Sequence, residues 1–340
     1  MARTIVFVTG ATGFVGSYIL RYLIRGNYRV KALRRSTSSM DLVSDIQDKI
    51  EWIEGDILDL PFLEEALIGV NQVYHAAAVV SSNHRQVSHM LKVNIEGTAN
   101  IVNASLYRGV SKFIHLSSTA ALGKREFQVN IDENNYWENS RLNSNYAISK
   151  FKSECEVWRG IQEGLNANIL NPAIIIGAGF WNSGACKIFK NIINGLKYYP
   201  QGGHGFVDVR DVARIALVLM ESNISGERYI LNAQNYSYKE FFSMASLALG
   251  KVPPEKKENP FIMAIFYQFD RLLSKLLIPT PFFTKNTIKT SRKTYCYINK
   301  KIKRDLNVEF ISVPESIKET ADVFLDCHKL KTAYGTMSID

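Results

Sequence analysis

Short apolar runs alternate with amphipathic stretches through the first 170 residues of the chain. The apolar runs predict strands, and the three-to-four-residue spacing of apolar positions between them predicts helices. The strands are expected at 4–9, 28–33, 50–53, 72–76, 112–117 and 167–171. The helices are expected at 14–26, 40–48, 61–69, 84–109 and 145–164. This alternation predicts an α/β fold, a doubly wound parallel sheet covered by helices on both faces.

The pattern loosens after residue 172. Apolar spacing predicts a helix at 184–195, and Asp211 is expected to be the N-cap of another at 212–221. The stretch SYKE at 237–240 is a capping box, which predicts a further helix start. An amphipathic helix is expected at 314–327. The later half is therefore expected to be mostly helical.

Composition limits the class of protein. The chain has 340 residues, 46% hydrophobic and 21% charged, as in soluble globular proteins. Four widely spaced cysteines without a C-x-x-C pair predict neither a disulfide framework nor a zinc site, and they favour a reducing cytoplasm. No grouping of His, Asp and Glu has metal-ligand spacing, so no metal is expected. An apolar strand beginning at residue 4 argues against a signal peptide.

The net charge of +9 is concentrated in one segment. Residues 251–304 hold 13 Lys and Arg against three acids, or +10, whereas the remainder holds 28 basic and 29 acidic residues, or −1. Charge confined in this way argues against nucleic-acid binding. The segment includes the mostly apolar stretch 261–283. We expect a lid with a solvated basic outer face, and the alternative is a weak contact with an anionic membrane surface.

A glycine-rich turn, VTGATGFVG at 8–16, directly follows the first strand and opens the first helix. In this position Gly10 permits a tight turn, Gly13 lets the backbone approach a pyrophosphate, and Gly16 lets the helix pack on the sheet. The spacing is G-x-x-G-x-x-G instead of the usual G-x-G-x-x-G. The placement between strand and helix predicts a dinucleotide site.

Tyr146 and Lys150 in YAISK lie one helical turn apart. With 16 Tyr and 24 Lys in the chain, about one Tyr-x-x-x-Lys match is expected by chance. A second match, Tyr297 with Lys301, does occur. It lies in the basic segment without a preceding glycine loop or strand-end serine. We expect Tyr297 and Lys301 to be surface side chains.

Eight motifs in order resemble the extended short-chain dehydrogenase/reductase family, also called the NAD-dependent epimerase/dehydratase family. They are TGATGFVG (9–16), GDILD (55–59), HAAA (75–78), VNIEGT (93–98), LSSTAALG (116–123), YAISK (146–150), NPAIIIGAG (171–179) and GFVDVRDVA (205–213). The last two are similar to the branch of dihydroflavonol-reductase-like and 3β-hydroxysteroid-dehydrogenase-like proteins. The resemblance implies a Rossmann-type domain at 1–171, completed by parts of 205–232, and a substrate-binding region at 172–340.

The resemblance assigns four catalytic roles. Tyr146 is expected to exchange a proton with the substrate oxygen, and Lys150 to bind the nicotinamide ribose and lower the pKa of Tyr146. Ser118, with Ser117 as the near miss, is expected to hold the substrate oxygen. Asn94 is expected to support the helix and a water path behind Lys150.

The end of the second strand indicates which cofactor is bound. NAD enzymes of this kind place an acid there, whereas this chain has Arg34 and Arg35. Guanidinium groups suit a 2′-phosphate, so NADP is favoured over NAD. The other residues expected to bind the cofactor lie in the glycine turn and at the ends of later strands. They are Thr12, Phe14, Val15, Asp56, Ile57, Ala76, Ala78, Pro172 and Ile175.

The expected substrate site lies between the sheet edge and the later segments. The candidate lining residues are Val80, Ser81, Ser118, Trp181, Lys187 and Phe206. The apolar 261–283 stretch favours an apolar ketone or secondary alcohol and hence an oxidoreductase. A nucleotide-sugar epimerase or dehydratase and a non-catalytic dinucleotide sensor are the alternatives. The resemblance also implies a homodimer formed through the helices at 84–109 and 145–164.

Five further polar residues are expected to be structural. We expect His75 and His115 to be satisfied core residues, and His204 to lie in a glycine-rich turn. Asp208 and Asp211 are expected to cap and brace the loop before the 212–221 helix.

Overall fold

Seven parallel strands form the central sheet of the protein. The computed structural model describes residues 3–81, 83–124, 129–140, 142–257 and 292–339. The sheet strands are β1 (Ile5–Thr9), β2 (Arg29–Arg34), β3 (Glu51–Glu54), β4 (Gln72–His75), β5 (Lys112–Leu116), β7 (Ala167–Pro172) and β11 (Glu227–Leu231). Their order is β3-β2-β1-β4-β5-β7-β11. The six predicted strands are all present, and β11 extends the sheet beyond β7.

Helices cover both faces of this sheet. They are α1 (Phe14–Arg25), α2 (Leu60–Ala66), α3 (Val87–Tyr107), α4 (Asn145–Gln162), α5 (Lys187–Ile193), α6 (Val209–Glu221), α7 (Tyr238–Ala248), α8 (Lys300–Leu306) and α9 (Val313–Lys329). Successive strand residues enter opposite cores: Val6 and Val8 lie in one cluster with residues of α1 and α6, and Phe7 lies in the other with residues of α2, α3 and α4. Alternate residues of a strand point to opposite faces of the sheet, and both faces must be apolar when helices cover both of them, as in a doubly wound parallel sheet.

Shorter strands build the region after residue 172. A second sheet has the order β12 (Gln234–Ser237), β10 (Gly203–Asp208), β8 (Ile174–Ile176). Two pairs of two-residue strands complete the structure: β6 (Asn130–Ile131) with β14 (Cys296–Tyr297), and β9 (Tyr198–Tyr199) with β13 (Lys256–Lys257).

Two predicted helices differ from the structure: one is absent, and one begins at a different residue. The predicted 40–48 helix is instead a pair of 3-10 turns, Asp41–Val43 and Gln47–Lys49. Nearby serines compete for the backbone there, since the Ser44 hydroxyl donates to the Asp41 carbonyl at 3.1 Å. Helix α6 begins at Val209, not 212, because Asp208 is the N-cap and accepts from the Arg210 amide at 2.7 Å. The capping box at Ser237 is confirmed.

Most of the basic segment, residues 258–291, lies outside the described residues. The lid and membrane-contact hypotheses therefore remain predictions. No helix in the ranges that the structure describes is long and apolar enough to cross a membrane. All four cysteines are free thiols.

Candidate active site

The glycine turn joins β1 to α1 at the carboxyl edge of the sheet. Gly10 has φ +67°, and a Cβ there would lie 2.6 Å from the carbonyl carbon of Ala76. A Cβ on Gly16 would lie 2.1 Å from the Gly10 carbonyl oxygen. Gly13 is the N-cap of α1, provides no side-chain cap, and no acid occupies the first turn. Backbone amides at an uncapped helix start suit a pyrophosphate, so these residues fit a dinucleotide.

A chain of hydrogen bonds supports the turn from below. The Thr9 hydroxyl accepts from the Ala77 amide at 3.2 Å and lies 2.7 Å from His75 Nδ1. His75 Nε2 lies 2.9 Å from the Thr98 hydroxyl, which donates to the Asn94 carbonyl at 2.6 Å. Because the Thr98 hydroxyl donates to Asn94, these hydrogen bonds require a proton on His75 Nε2. Burial accordingly lowers the pKa of His75 to about 3. His75 is thus a core residue, as predicted.

Tyr146 lies in the first turn of α4, opposite the end of β5. Helix α4 begins there because Ser144 is its N-cap and accepts from the Ala147 amide at 3.1 Å. The Tyr146 hydroxyl is hydrogen-bonded to Ser118. Ser118 is itself held in place, since its hydroxyl accepts from the Ala120 amide at 3.2 Å. The structure thus brings together the two side chains predicted to contact the substrate oxygen.

Burial raises the pKa of Tyr146 above its ordinary value of 10, and the Ser118 hydrogen bond lowers it only in part. This differs from the expectation that Lys150 lowers that pKa. The Lys150 ammonium donates to the Leu116 carbonyl at 2.9 Å. Burial also lowers the pKa of Lys150 itself to about 8, while the charge of Glu154 raises it. At neutral pH the pair is a protonated phenol beside a charged ammonium.

Glu154 is a residue that the sequence analysis missed. It is 1% exposed, one turn beyond Lys150 on α4. Its carboxylate accepts from the Ser117 hydroxyl and the Asn171 amide at 2.5 Å each, and lies 3.6 Å from Arg228. The same-face spacing of residues 146, 150 and 154 was the available signal. Glu154 ties α4 to the ends of β5 and β7 beneath the site.

Asn94 links the loop after β4 to α4. Its side chain accepts from the Val79 amide at 2.7 Å and donates to the Val79 carbonyl and the Ser149 hydroxyl, each at 3.0 Å. The predicted support of the helix is therefore present as a direct contact with Ser149.

Arg34 and Arg35 end β2 at the edge where the glycine turn lies. Arg34 forms an ion pair with Glu54 of β3 at 3.4 Å, and its Nε is buried without a hydrogen-bond partner among the residues that the structure describes. Arg35 is exposed, and its amide donates to the Ser38 hydroxyl at 3.1 Å. Two guanidiniums and several hydroxyls thus lie at this strand end.

The remaining cofactor candidates lie at neighbouring strand ends. The Phe14 ring packs closely against the glycines after β8. A Cβ added to Gly179 would lie 2.8 Å from that ring. Asp56 accepts from the Leu58 amide at 2.9 Å, and Ile57 packs against Gly97. Six of the predicted cofactor-binding residues are partly exposed at this edge of the sheet: Thr12, Phe14, Val15, Ala76, Ala78 and Ile175. Pro172 is buried at the end of β7.

Two predicted substrate-lining residues are core residues in this structure. Phe206 has no exposed surface, and its ring stacks on Phe241 at 4.3 Å. Trp181 is 3% exposed and packs edge-on against Phe324 at 4.9 Å. Residues of α7 and α9 cover them.

The other substrate candidates remain accessible. Val80 is 72% exposed in the loop after β4. The Ser81 hydroxyl donates to Gln86 Oε1 at 2.7 Å. Lys187 is partly exposed at the start of α5.

The prediction that Tyr297 and Lys301 are surface side chains was wrong for Tyr297. Tyr297 is 2% exposed, because β14 pairs with β6, and its hydroxyl lies 3.2 Å from His204 Nε2. Lys301 is on α8 and donates to Glu227 at 2.5 Å. The two residues therefore share no helix face.

Among the described residues, no group of three or more His, Cys, Asp or Glu could hold a metal ion.

Comparison with known proteins identifies the family. The NAD dependent epimerase/dehydratase family matches residues 6–232. The chain belongs to this family. A Synechocystis protein provisionally named dihydroflavonol 4-reductase is 27% identical over 96% of each chain. Cinnamoyl-CoA reductase 1 of Petunia hybrida is 25% identical over 93% of this chain and 90% of that protein.

A solved structure agrees with this assignment. The crystal structure of gox2253 is 30% identical, has a TM-score of 0.80, and covers 95% of this chain and 98% of that chain. The predicted family, its reductase-like branch and the Rossmann-type fold are confirmed. The protein is therefore an NAD(P)-dependent oxidoreductase of the extended short-chain dehydrogenase/reductase type.

Proposed function

We propose that the protein is an NADP-dependent reductase that converts a fairly apolar ketone to a secondary alcohol. The observation that carries this proposal is the Tyr146 hydroxyl, which is partly buried and hydrogen-bonded to Ser118. A phenol whose pKa is raised by burial holds its proton at neutral pH, as a proton donor for reduction must.

The roles of the side chains follow from this arrangement. When bound, the nicotinamide supplies the hydride that reduces the carbonyl carbon. Ser118 orients the carbonyl oxygen, and Tyr146 gives it a proton. Lys150, a buried cation on the same face of α4, would bind the nicotinamide ribose.

Arg34 and Arg35 support NADP as the cofactor. A guanidinium can bind a 2′-phosphate with two parallel hydrogen bonds, and β2 ends without the acid that would hold a ribose 2′-hydroxyl. Glu54 lies nearby, but Arg34 neutralises it. The 2′-phosphate would then be held by Arg35 and by the part of Arg34 that Glu54 leaves free.

The names of the relatives support a substrate with an aromatic group and a carbonyl group. A dihydroflavonol and a cinnamoyl thioester are bulky aromatic compounds with a carbonyl group, and both relatives align over most of the chain. We infer further that the protein acts in the cytoplasm and as a homodimer.

A cofactor-oxidation screen tests the function. The full chain is incubated with NADPH or NADH and with panels of aryl ketones, aldehydes and sugar nucleotides, and absorbance at the nicotinamide band is followed. We expect NADPH to be consumed with at least one ketone. A sugar nucleotide that is converted without net cofactor turnover would instead establish the epimerase or dehydratase alternative.

A further inference from the structure

A cluster of polar side chains lies directly beside Ser118 and takes no part in the proton transfer. Thr119, the next residue, is hydrogen-bonded to the Tyr297 hydroxyl. That hydroxyl lies 3.2 Å from His204 Nε2, while His204 Nδ1 lies 3.0 Å from the Gly205 carbonyl. The 3-10 turn that begins after Ser118 ends at Leu122, so Lys124 follows it almost at once. The cluster therefore adjoins the candidate active site.

His204 is uncharged in this cluster. Its Nδ1 must donate to the Gly205 carbonyl, which leaves Nε2 to accept from Tyr297. Burial and the charge of Lys124 lower the pKa of His204 to about 3. Lys124 is thus the cationic member of the group.

Two groups here lack a polar partner among the described residues. The Lys124 ammonium lies 4.6 Å from the centre of the Tyr295 ring, and no acidic side chain in the described part of the chain pairs with it. The Tyr295 hydroxyl is buried without a hydrogen-bond partner in the described part of the chain, and the residue is 1% exposed. Lys124 is partly exposed, so the hydroxyl of Tyr295 carries the larger cost, because removing a hydroxyl from water without a partner is unfavourable. A bound anion would satisfy both groups.

We propose that Lys124 and Tyr295 form a subsite for a carboxylate on the substrate, at a distance from the carbonyl that is reduced. The proposal rests on the reductase function proposed above. One ammonium and one hydroxyl match the charge and donor count of a single carboxylate, whereas a phosphate dianion would need more donors. The substrate would then be an apolar ketone with an acidic group.

Equilibrium binding tests the subsite without relying on turnover. Benzoate and its neutral analogue benzamide are titrated by calorimetry into the full chain saturated with NADP⁺, in a phosphate-free buffer. We expect benzoate to bind about tenfold more tightly or better, and Lys124→Gln to bring the ratio close to one. Lys124→Arg should retain part of the preference. Tyr295→Phe should weaken benzoate binding by a smaller factor without loss of folding.

Lys318→Gln is the matched control, because Lys318 is an exposed lysine on α9, and it should leave the ratio unchanged. Equal binding of the two compounds to the wild-type protein, or a preference that survives in Lys124→Gln, overturns the proposal. Tighter binding of phenyl phosphate than of benzoate would overturn the choice of a carboxylate.

Kinetics separate this proposal from the proposed function. The same variants are assayed with NADPH and with 4-acetylbenzoate or 4-acetylbenzamide as ketones. A preference for the acid that appears in KM and disappears in Lys124→Gln supports both proposals. Reduction of both ketones at equal KM leaves the reductase intact and removes the subsite. Selective benzoate binding with no reduction of a wider ketone panel keeps the subsite and removes the reductase.

Discussion

At Tyr146, burial and hydrogen bonding act in opposite directions on one hydroxyl. Burial raises its pKa and Ser118 lowers it, and burial prevails. The proton is therefore present at neutral pH, and its transfer depends on the substrate oxygen taking the place beside Ser118. The same residue would be idle in a dinucleotide sensor.

Replacing that hydroxyl distinguishes an enzyme from a sensor. We expect Tyr146→Phe to reduce kcat by about 10²–10⁴-fold, because only the proton donor is lost, and to leave NADPH binding within a few-fold of wild type. Stopped-flow reduction assays and fluorescence titration with NADPH measure the two quantities. Tyr107→Phe, at a tyrosine that is 69% exposed at the end of α3, is the control. Unchanged kcat in Tyr146→Phe would exclude the proposed chemistry.

The charge of Lys150 is expected to make the activity depend on pH. Its pKa is lowered to about 8 by burial, so it is charged below that pH and neutral above it, and the charge of Glu154 raises this pKa. We expect kcat/KM for reduction to fall as pH rises through about 8. Glu154→Gln should move this fall to lower pH, because it removes the negative charge one turn away.

The profile is measured from pH 6 to 10 for the wild type, Glu154→Gln and the control Glu156→Gln. Glu156 lies on the same helix and pairs with Arg159 at 3.0 Å. An alkaline limb at the same pH in all three proteins would show that Glu154 does not act through Lys150.

Arg34 is expected to decide between the two nicotinamide cofactors. In Arg34→Asp, NADPH should lose about tenfold or more in kcat/KM because a carboxylate repels the 2′-phosphate, and NADH should gain because that carboxylate can bind the ribose. Arg29→Gln, at the other end of β2, should change neither value. Initial rates with both cofactors give the ratio. A ratio that stays constant in Arg34→Asp would place the 2′-position elsewhere.

The glycine turn acts as an element, since its backbone path depends on close approach to the next strand end. Gly10 and Gly69 have nearly the same positive φ, +67° and +73°. A Cβ on Gly69 meets nothing within 4 Å, whereas one on Gly10 meets the Ala76 backbone at 2.6 Å. Substitution by alanine therefore imposes the same backbone strain at both sites but a steric clash at only one.

We expect Gly69→Ala to cost about 1 kcal/mol of unfolding free energy. Gly10→Ala should cost clearly more and should abolish the stabilisation by NADPH, because the turn must shift. Urea unfolding with and without NADPH measures both effects. Equal losses for the two variants would show that the close approach of Gly10 to Ala76 contributes little.

A structural element can be predicted from the sequence when the residues that determine it are close together along the chain. The alternation of strands and helices and the glycine turn are local patterns, and both appear as predicted except for the helix at 40–48. The caps are local too, but Asp208 and Asp211 compete for one helix start. Asp208 takes the cap while Asp211 accepts from the Ile311 amide at 2.7 Å, a partner 100 residues away. Such a contact has no signature near either residue.

Side-chain surroundings are the least local property. Phe206 and Trp181 were expected in the substrate pocket, yet α7 and α9 bury them. Tyr297 was expected at the surface, yet β6 pairs with its strand. Tyr146 and Lys150 could be placed together from the sequence because both lie on one predicted helix, where their spacing puts them on the same face.

At the scale of the whole molecule, α3 and α4 leave an apolar surface on one side of the sheet. Leu91, Ile95 and Ile148 are partly exposed and belong to neither of the two core clusters of the sheet. Leu91 and Ile95 lie one turn apart on α3, as expected for a helix that packs against another. A second copy of the chain placed there would complete a four-helix arrangement.

Sedimentation velocity tests this dimer. We expect the wild-type protein to sediment at twice its chain mass of 38.5 kDa at micromolar concentration. Ile95→Glu should shift it to the single-chain mass, because burying an unpaired carboxylate in an apolar interface is costly. Lys92→Glu, at an exposed position on the same helix, changes the charge by two without entering the apolar stripe and should remain dimeric. A wild-type protein that sediments at the single-chain mass at every concentration, or an Ile95→Glu variant that stays dimeric, would place the interface elsewhere or remove it.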